Sequence, residues 1–244
     1  IGVADGHGGK GSASLCTYNI ENILKTLIED NDFESSCQIL FSTLHEKCKT
    51  LECCSGCTLT IVLINIRTCQ YTCANVGDSM AIHIKPHSYM WITTSHRLRD
   101  NVIERKRLKN NISYIMRDNV VFGPPRLYPG GLACSRSIGD SDCELISSTP
   151  SLYSDILLDD DIILICTDGV WDSIETNKLL KVIRTSWSPE SLCKILMKKN
   201  IEDDVTATVI CKPKKKLPIS GGIFKLFIKN TSNSSLSSMG TPSP

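Results

Sequence analysis

The sequence predicts an α+β domain built on antiparallel strands, and three observations predict it. Two amphipathic helical stretches come early in the chain. A series of short β-branched runs with tight connections follows them. Later, Ile162 to Cys166 is one continuous apolar run, the composition of a strand covered on both faces.

The bulk properties set bounds. A chain of 244 residues makes one large domain or two small ones, with ample length for a core. Apolar content of 41% and charged content of 22% are those of a water-soluble globular protein. A formal net charge of +1 supplies no global field for nucleic acid or a membrane surface. The longest apolar runs, such as Ile61 to Ile64, fall far short of a membrane span. The 13 cysteines are scattered through predicted helices and strands, with Cys16, Cys37 and Cys48 on apolar helix faces. They read as reduced, buried small hydrophobes of an intracellular protein, cytoplasmic or nuclear. Cys53, Cys54, Cys57, Cys69 and Cys73 hold a single CxxC pair with no second pair and no spaced histidines, which is a poor zinc pattern.

The elements follow in order. Ile1 to Ala4 is a short apolar strand running into Asp5-Gly6-His7-Gly8-Gly9, a glycine-rich turn that carries a carboxylate and a histidine. The spacing and the Lys-Ser/Thr ending of a phosphate-binding P-loop are absent. The chain starts inside this strand, so further strands are expected upstream. Cys16, Ile20, Ile23, Leu24, Leu27 and Ile28 mark a helix over Ser12 to Asp30. Phe33, Cys37, Leu40, Phe41, Leu44, Cys48 and Leu51 mark a second. Strands are then expected at Cys57 to Ile66, Cys69 to Val76, Ala81 to Lys85 and Tyr89 to Thr94, forming a meander whose short turns imply antiparallel pairing. Gly77-Asp78-Ser79 is one of those turns. Ser95 to Asn111 is basic and part helical, and reads as a solvated face. Tyr114 to Pro129 reads as irregular, broken at Gly123-Pro124-Pro125. Gly130 to Asp140 is rich in small residues and ends on Gly-Asp. After the apolar run come helices at Thr176 to Arg184 and Pro189 to Lys199, the latter with Ser188 as cap and proline at the first position. Asp203-Asp204 precedes a last strand, Val205 to Cys211. Lys212 to Pro244, basic at Lys214 to Lys216 and then Ser-, Thr- and Asn-rich, reads as a disordered tail.

Asp5, Asp140, Asp168, Asp172 and Asp203 each lie beside a strand end or a glycine turn. If they converge, two carboxylates about 5 Å apart repel by roughly 3 kcal/mol at an effective dielectric near 20. Several together need cations. Oxygen ligands without Cys or His favour magnesium or manganese over zinc. Two such ions can activate a water for in-line attack at phosphorus, the chemistry of a phosphate ester hydrolase. Read singly, each aspartate is also an ordinary turn or cap residue.

The order of the motifs adds weight. DGHGG, GCT, ANVGDS, the His96 segment, GGLACSRSIGD, ICTDGVWD and DDVT resemble the metal-dependent protein phosphatase family, the type 2C serine/threonine phosphatases, over residues 1 to 211. The resemblance implies a four-layer α-β-β-α sandwich of two antiparallel sheets with metals in a cleft at one end. It implies that Asp5 bridges two magnesium or manganese ions, that the Gly6 carbonyl serves one, and that Asp168 and Asp203 complete the other. Asp140, with Asp168 and Asp172, matches a third, weaker site. His7 becomes the general acid for the leaving seryl or threonyl oxygen, after attack by a metal-bridging hydroxide. Phosphorylated proteins become the substrates of a monomeric enzyme that uses neither nucleic acid nor membrane. The family also carries an arginine and an acidic ligand in strands preceding its DGHGG motif, upstream of Ile1. Met80, Ser95 and Asp204 depart from the usual Arg, Asp and Asn. A non-catalytic relative that binds partners, and a zinc-stabilised cysteine-rich module, are the competing readings.

Overall fold

A computed structural model describes residues 1–51, 55–117, 120–186 and 203–212. One antiparallel sheet runs β1 (Gly2–His7), β2 (Gly56–Ile64), β3 (Gln70–Val76) and β9 (Ser151–Ile156), and β8 (Ile138–Gly139) pairs with the start of β2. The second runs β11 (Ala207–Cys211), β10 (Ile162–Cys166), β4 (Met80–Ile84) and β5 (Tyr89–Trp91), also antiparallel.

β10 explains how the layers stack. Side chains alternate across a strand. Ile162, Leu164 and Cys166 join Val170 of α4 (Asp168–Ser173) and Leu179, Leu180 and Ile183 of α5 (Thr176–Ser186). Ile163 and Ile165 face the other way, into a core shared with Val3, Val62, Tyr71 and Cys73 of the first sheet. The outer face of that sheet, through Leu59, Ile61, Ala74 and Val76, meets Cys16 of α1 (Gly11–Asp30) and Cys37, Leu40, Phe41 and Leu44 of α2 (Phe33–Thr50). Asp32 caps α2 by accepting from the Ser35 amide at 2.7 Å. The result is helices, sheet, sheet, helices, the four-layer arrangement expected.

Several expectations change. The strands from Cys57 to Thr94 do not form one meander: β3 and β4 lie in different sheets, and Gly77-Asp78-Ser79 is the crossing between them. Gly77 takes φ +89 there, and a Cβ would stand 2.6 Å from Thr58. Tyr114 to Pro129 is not irregular, because β6 (Ser113–Arg117) and β7 (Val120–Arg126) form a separate hairpin. Its β7 contains the Gly-Pro-Pro, which a two-stranded edge tolerates. β9 was not expected. α3 (Val102–Arg107) supplies the helical part of the basic segment. That segment is not simply a solvated face, since His96 and Leu98 are buried. The helix expected at Pro189 to Lys199 and the tail after Lys212 lie outside the described residues, as do Cys53 and Cys54. Cys16, Cys37 and Cys73 are buried free thiols, as expected for small core hydrophobes.

Candidate functional site

Five acidic chain segments meet at one end of the two sheets, around a cleft of about 590 Å³. Asp5, Gly6 and His7 come from β1. This strand continues through His7, paired with Gly56, so Asp5 sits inside the strand rather than at its end. Asp78 comes from the crossing between sheets. Asp140 follows β8, held at φ +51, a left-handed conformation that aspartate tolerates. Asp168 and Asp172 lie on α4, a helical turn apart, and Asp203 precedes β11. All of them line the cleft, together with Arg97, Arg99 and, from the hairpin, Pro124, Pro125 and Arg126.

The electrostatics follow from crowding. Burial comes first, and the charges of Asp168, Asp203 and Asp78 add to it, so the Asp5 carboxyl is pushed up to about 7. Burial, then the Asp78 charge, also raises Asp168, against the opposing pull of Arg97. Arg97 reaches three carboxylates: its Nε donates to Asp78, one terminal nitrogen to Asp168, and the other to both oxygens of Asp172 at 2.9 and 2.7 Å. Burial works against its charge, but Asp78 and Asp172 outweigh that and hold it firmly protonated. His7 Nε2 lies 2.7 Å from Asp140 Oδ2, which also accepts from the Ser137 hydroxyl. Burial alone would lower the ring's pKa; the bond to Asp140 and the surrounding carboxylates raise it above its ordinary value instead.

Asp5, Asp168 and Asp203 thus act on one another as one acidic group, and Gly6 is beside them. Asp140 lies in the same cleft and is engaged by His7, while Asp172 is engaged by Arg97. Asp78 and Arg97 belong to the site although neither was in the expected set. The Gly-Asp pair of Gly77-Asp78, the same pair as Gly139-Asp140, was the signal for the first. Arg97 carried no local signal, because it belongs to a basic run that reads as solvated; only the fold sets it between His96 and Leu98, both buried. The donors are hard oxygens in excess of the one guanidinium among them, and that set fits a divalent cation of the magnesium or manganese type. Among the described residues, no group of three or more His, Cys, Asp or Glu side chains is already gathered around a single point as metal ligands.

Comparison with known proteins places the chain in a family and supports its fold. The family model for protein phosphatase 2C matches residues 1–209. "Probable protein phosphatase 2C 5" of Arabidopsis thaliana is 32% identical over 86% of this chain and 53% of its own length. "Probable protein phosphatase 2C 15" of the same plant is 33% identical over 75% of this chain and 45% of its own. The chain therefore spans about half the length of these curated relatives. Among solved structures, a Toxoplasma gondii phosphatase superposes with a TM-score of 0.67 at 14% identity, covering 86% of this chain and 76% of that one. A Caenorhabditis elegans sex determining protein gives 0.69 at 18%, covering 84% and 54%. The Mycobacterium tuberculosis serine/threonine phosphatase gives 0.59 at 17%, covering 84% of each. At these identities the superpositions speak for the fold. Because the family model runs through every segment that contributes a carboxylate to the cleft, this chain belongs to the protein phosphatase 2C family.

Proposed function

We propose that the cleft is the active site of a magnesium- or manganese-dependent protein serine/threonine phosphatase. The observation that carries this reading is the convergence of Asp5, Asp168 and Asp203, from three distant segments, on one cleft, where burial first and then the neighbouring carboxylate charges raise Asp5 to about 7. Members of the family depend on magnesium or manganese, and in this reading two ions, with a third more weakly held, are taken by Asp5, the Gly6 carbonyl, Asp168, Asp203, Asp140 and Asp172. Bound there, the ions would supply an activated water and neutralise the phosphoryl oxygens.

The remaining roles fall to the chain itself. His7 gives a proton to the departing seryl or threonyl oxygen. With Nε2 committed to Asp140, Nδ1 is the nitrogen left to deliver it. Asp140 stabilises the imidazolium, so the ring keeps its proton nearer neutral pH. Arg99 and Arg126 line the cleft and suit the approach of an anionic phosphorylated protein segment. Among the described residues no helix is long and apolar enough to cross a membrane. A monomer in the cytoplasm or nucleus remains part of the reading.

The test is manganese-dependent release of phosphate from a phosphothreonine peptide. Asp168→Asn should lower turnover by at least about a thousandfold, on the scale of losing a group that stabilises transition-state charge. Turnover unchanged in that variant would remove the assignment.

A further inference from the structure

Arg97 is half-buried in the cleft, and two of its three carboxylate partners, Asp168 and Asp172, are ligands that the proposed ions need. It donates to Asp78, Asp168 and Asp172, which come from the sheet crossing and from two positions on α4. A guanidinium is planar and offers five N–H groups in a fixed fork, so it can bind several carboxylates from one position, which a lysine cannot do. The side chain is only 15% exposed, and it lies between two buried neighbours, His96 and Leu98, that fix its backbone. The main chain there is held as well: the His96 amide donates to the Gly77 carbonyl at 3.0 Å and the Leu98 amide to the Ala133 carbonyl at 2.9 Å. Arg97 is therefore positioned by the fold, and its long unbranched stem carries the guanidinium out to the three carboxylates.

We propose that Arg97 is a built-in counter-cation of the cleft: in the metal-free chain its guanidinium holds Asp78, Asp168 and Asp172, and divalent ions load by displacing it from them. This rests on the reading of the cleft as a divalent-cation site. The physical argument is competition. A carboxylate oxygen pointed at a guanidinium is not pointed at a metal, and Asp168 is claimed by both. Closing the carboxylates around Arg97 also accounts for the lack of a gathered set of three metal ligands among the described residues. The device keeps a crowded acidic cleft folded before metal arrives, and it sets a threshold that metal must exceed.

A merely structural arginine and a competing one differ in a measurable way. Manganese binding is read by calorimetry, and thermal melting is followed in chelator and in saturating manganese, for the full chain and for Arg97→Met, Arg97→Lys and Asp168→Asn. Methionine preserves a flexible stem and removes the charge. Arg97→Met should melt lower than the natural chain in chelator, bind manganese about tenfold more tightly, equivalent to about 1.4 kcal/mol, and regain its melting temperature when loaded. Arg97→Lys should fall between, since one point charge competes less well, and it carries the comparison if the methionine variant fails to fold. Equal or weaker manganese binding in the arginine variants, with Asp168→Asn still abolishing binding by the natural chain, overturns the proposal and leaves the metal site standing. No manganese binding by the natural chain or by either arginine variant overturns the metal site and the proposal together.

Discussion

Glu104 is buried at 2% exposure, a state a carboxylate keeps only with strong partners. It has three: Arg136 at 2.6 Å, Arg107 at 2.8 Å and the Ser135 hydroxyl at 2.6 Å. Burial alone would raise its pKa, but these partners outweigh it and hold the carboxyl down at about 2. The Ser135 amide donates to the His96 carbonyl at 2.9 Å, so Glu104 ties the Arg97 segment to the stretch that leads to Asp140. Glu104→Gln should cost about 2–3 kcal/mol in urea unfolding at neutral pH, because two guanidinium groups lose their counter-charge. The sign with pH is set by a depressed acid. Its stabilisation is present above the ordinary value of 4.5 and is lost as pH falls toward about 2, so the gap between variant and natural chain should shrink on acidification. A gap that stays constant down to pH 3 would refute the pairing. Residues of this kind were hard to read in the sequence. Glu104, Arg97 and Arg107 belong to a charged run that looks solvated, and only tertiary contacts show that Glu104 and Arg97 turn inward while Arg107 folds back onto Glu104.

The start of β2 shows what one glycine permits. Gly56 pairs with both His7 and Gly139, and a Cβ on it would stand 2.1 Å from Asp140 Oδ2 and 2.3 Å from His7 Nε2. The histidine and its carboxylate therefore meet across the bare face of Gly56. Gly56→Ala should separate them, and the His7 ring, followed by its NMR titration, should then titrate at lower pH than in the natural chain. An unchanged titration would mean that the pair does not depend on this approach. Elements with local signatures were legible: α1 and α2 from their apolar stripes, β10 from its unbroken run, β11 from its β-branched residues. β9, Ser151–Ile156, was not, because a sheet-edge strand with partly exposed polar positions carries little apolar pattern. The passage from β3 to β4 was misread for another reason. A short connection between strands usually means that they pair, and nothing local marks the one that crosses between sheets.

At the scale of the molecule, the fold turns sequence distance into proximity. Two sheets packed through Val3, Val62, Ile163 and Ile165 bring together the ends of β1, β3 and β10 and the start of β11. The carboxylates sit where those ends meet. Their identities were legible because each lies beside a strand end or a glycine turn; their convergence was not, since spacing alone cannot place five segments in space. The motif order supplied that step, and the cleft agrees with it. Arg97 shows what motif order left out, a cation already engaged among the acids. The most direct measurement is an anomalous difference map from crystals of the chain soaked in manganese. The account predicts a manganese peak within coordination distance of the carboxylate oxygens of Asp5 and Asp168, with the Arg97 guanidinium withdrawn from Asp168. A cleft without a peak, or manganese bound only at sites away from those oxygens, would contradict it.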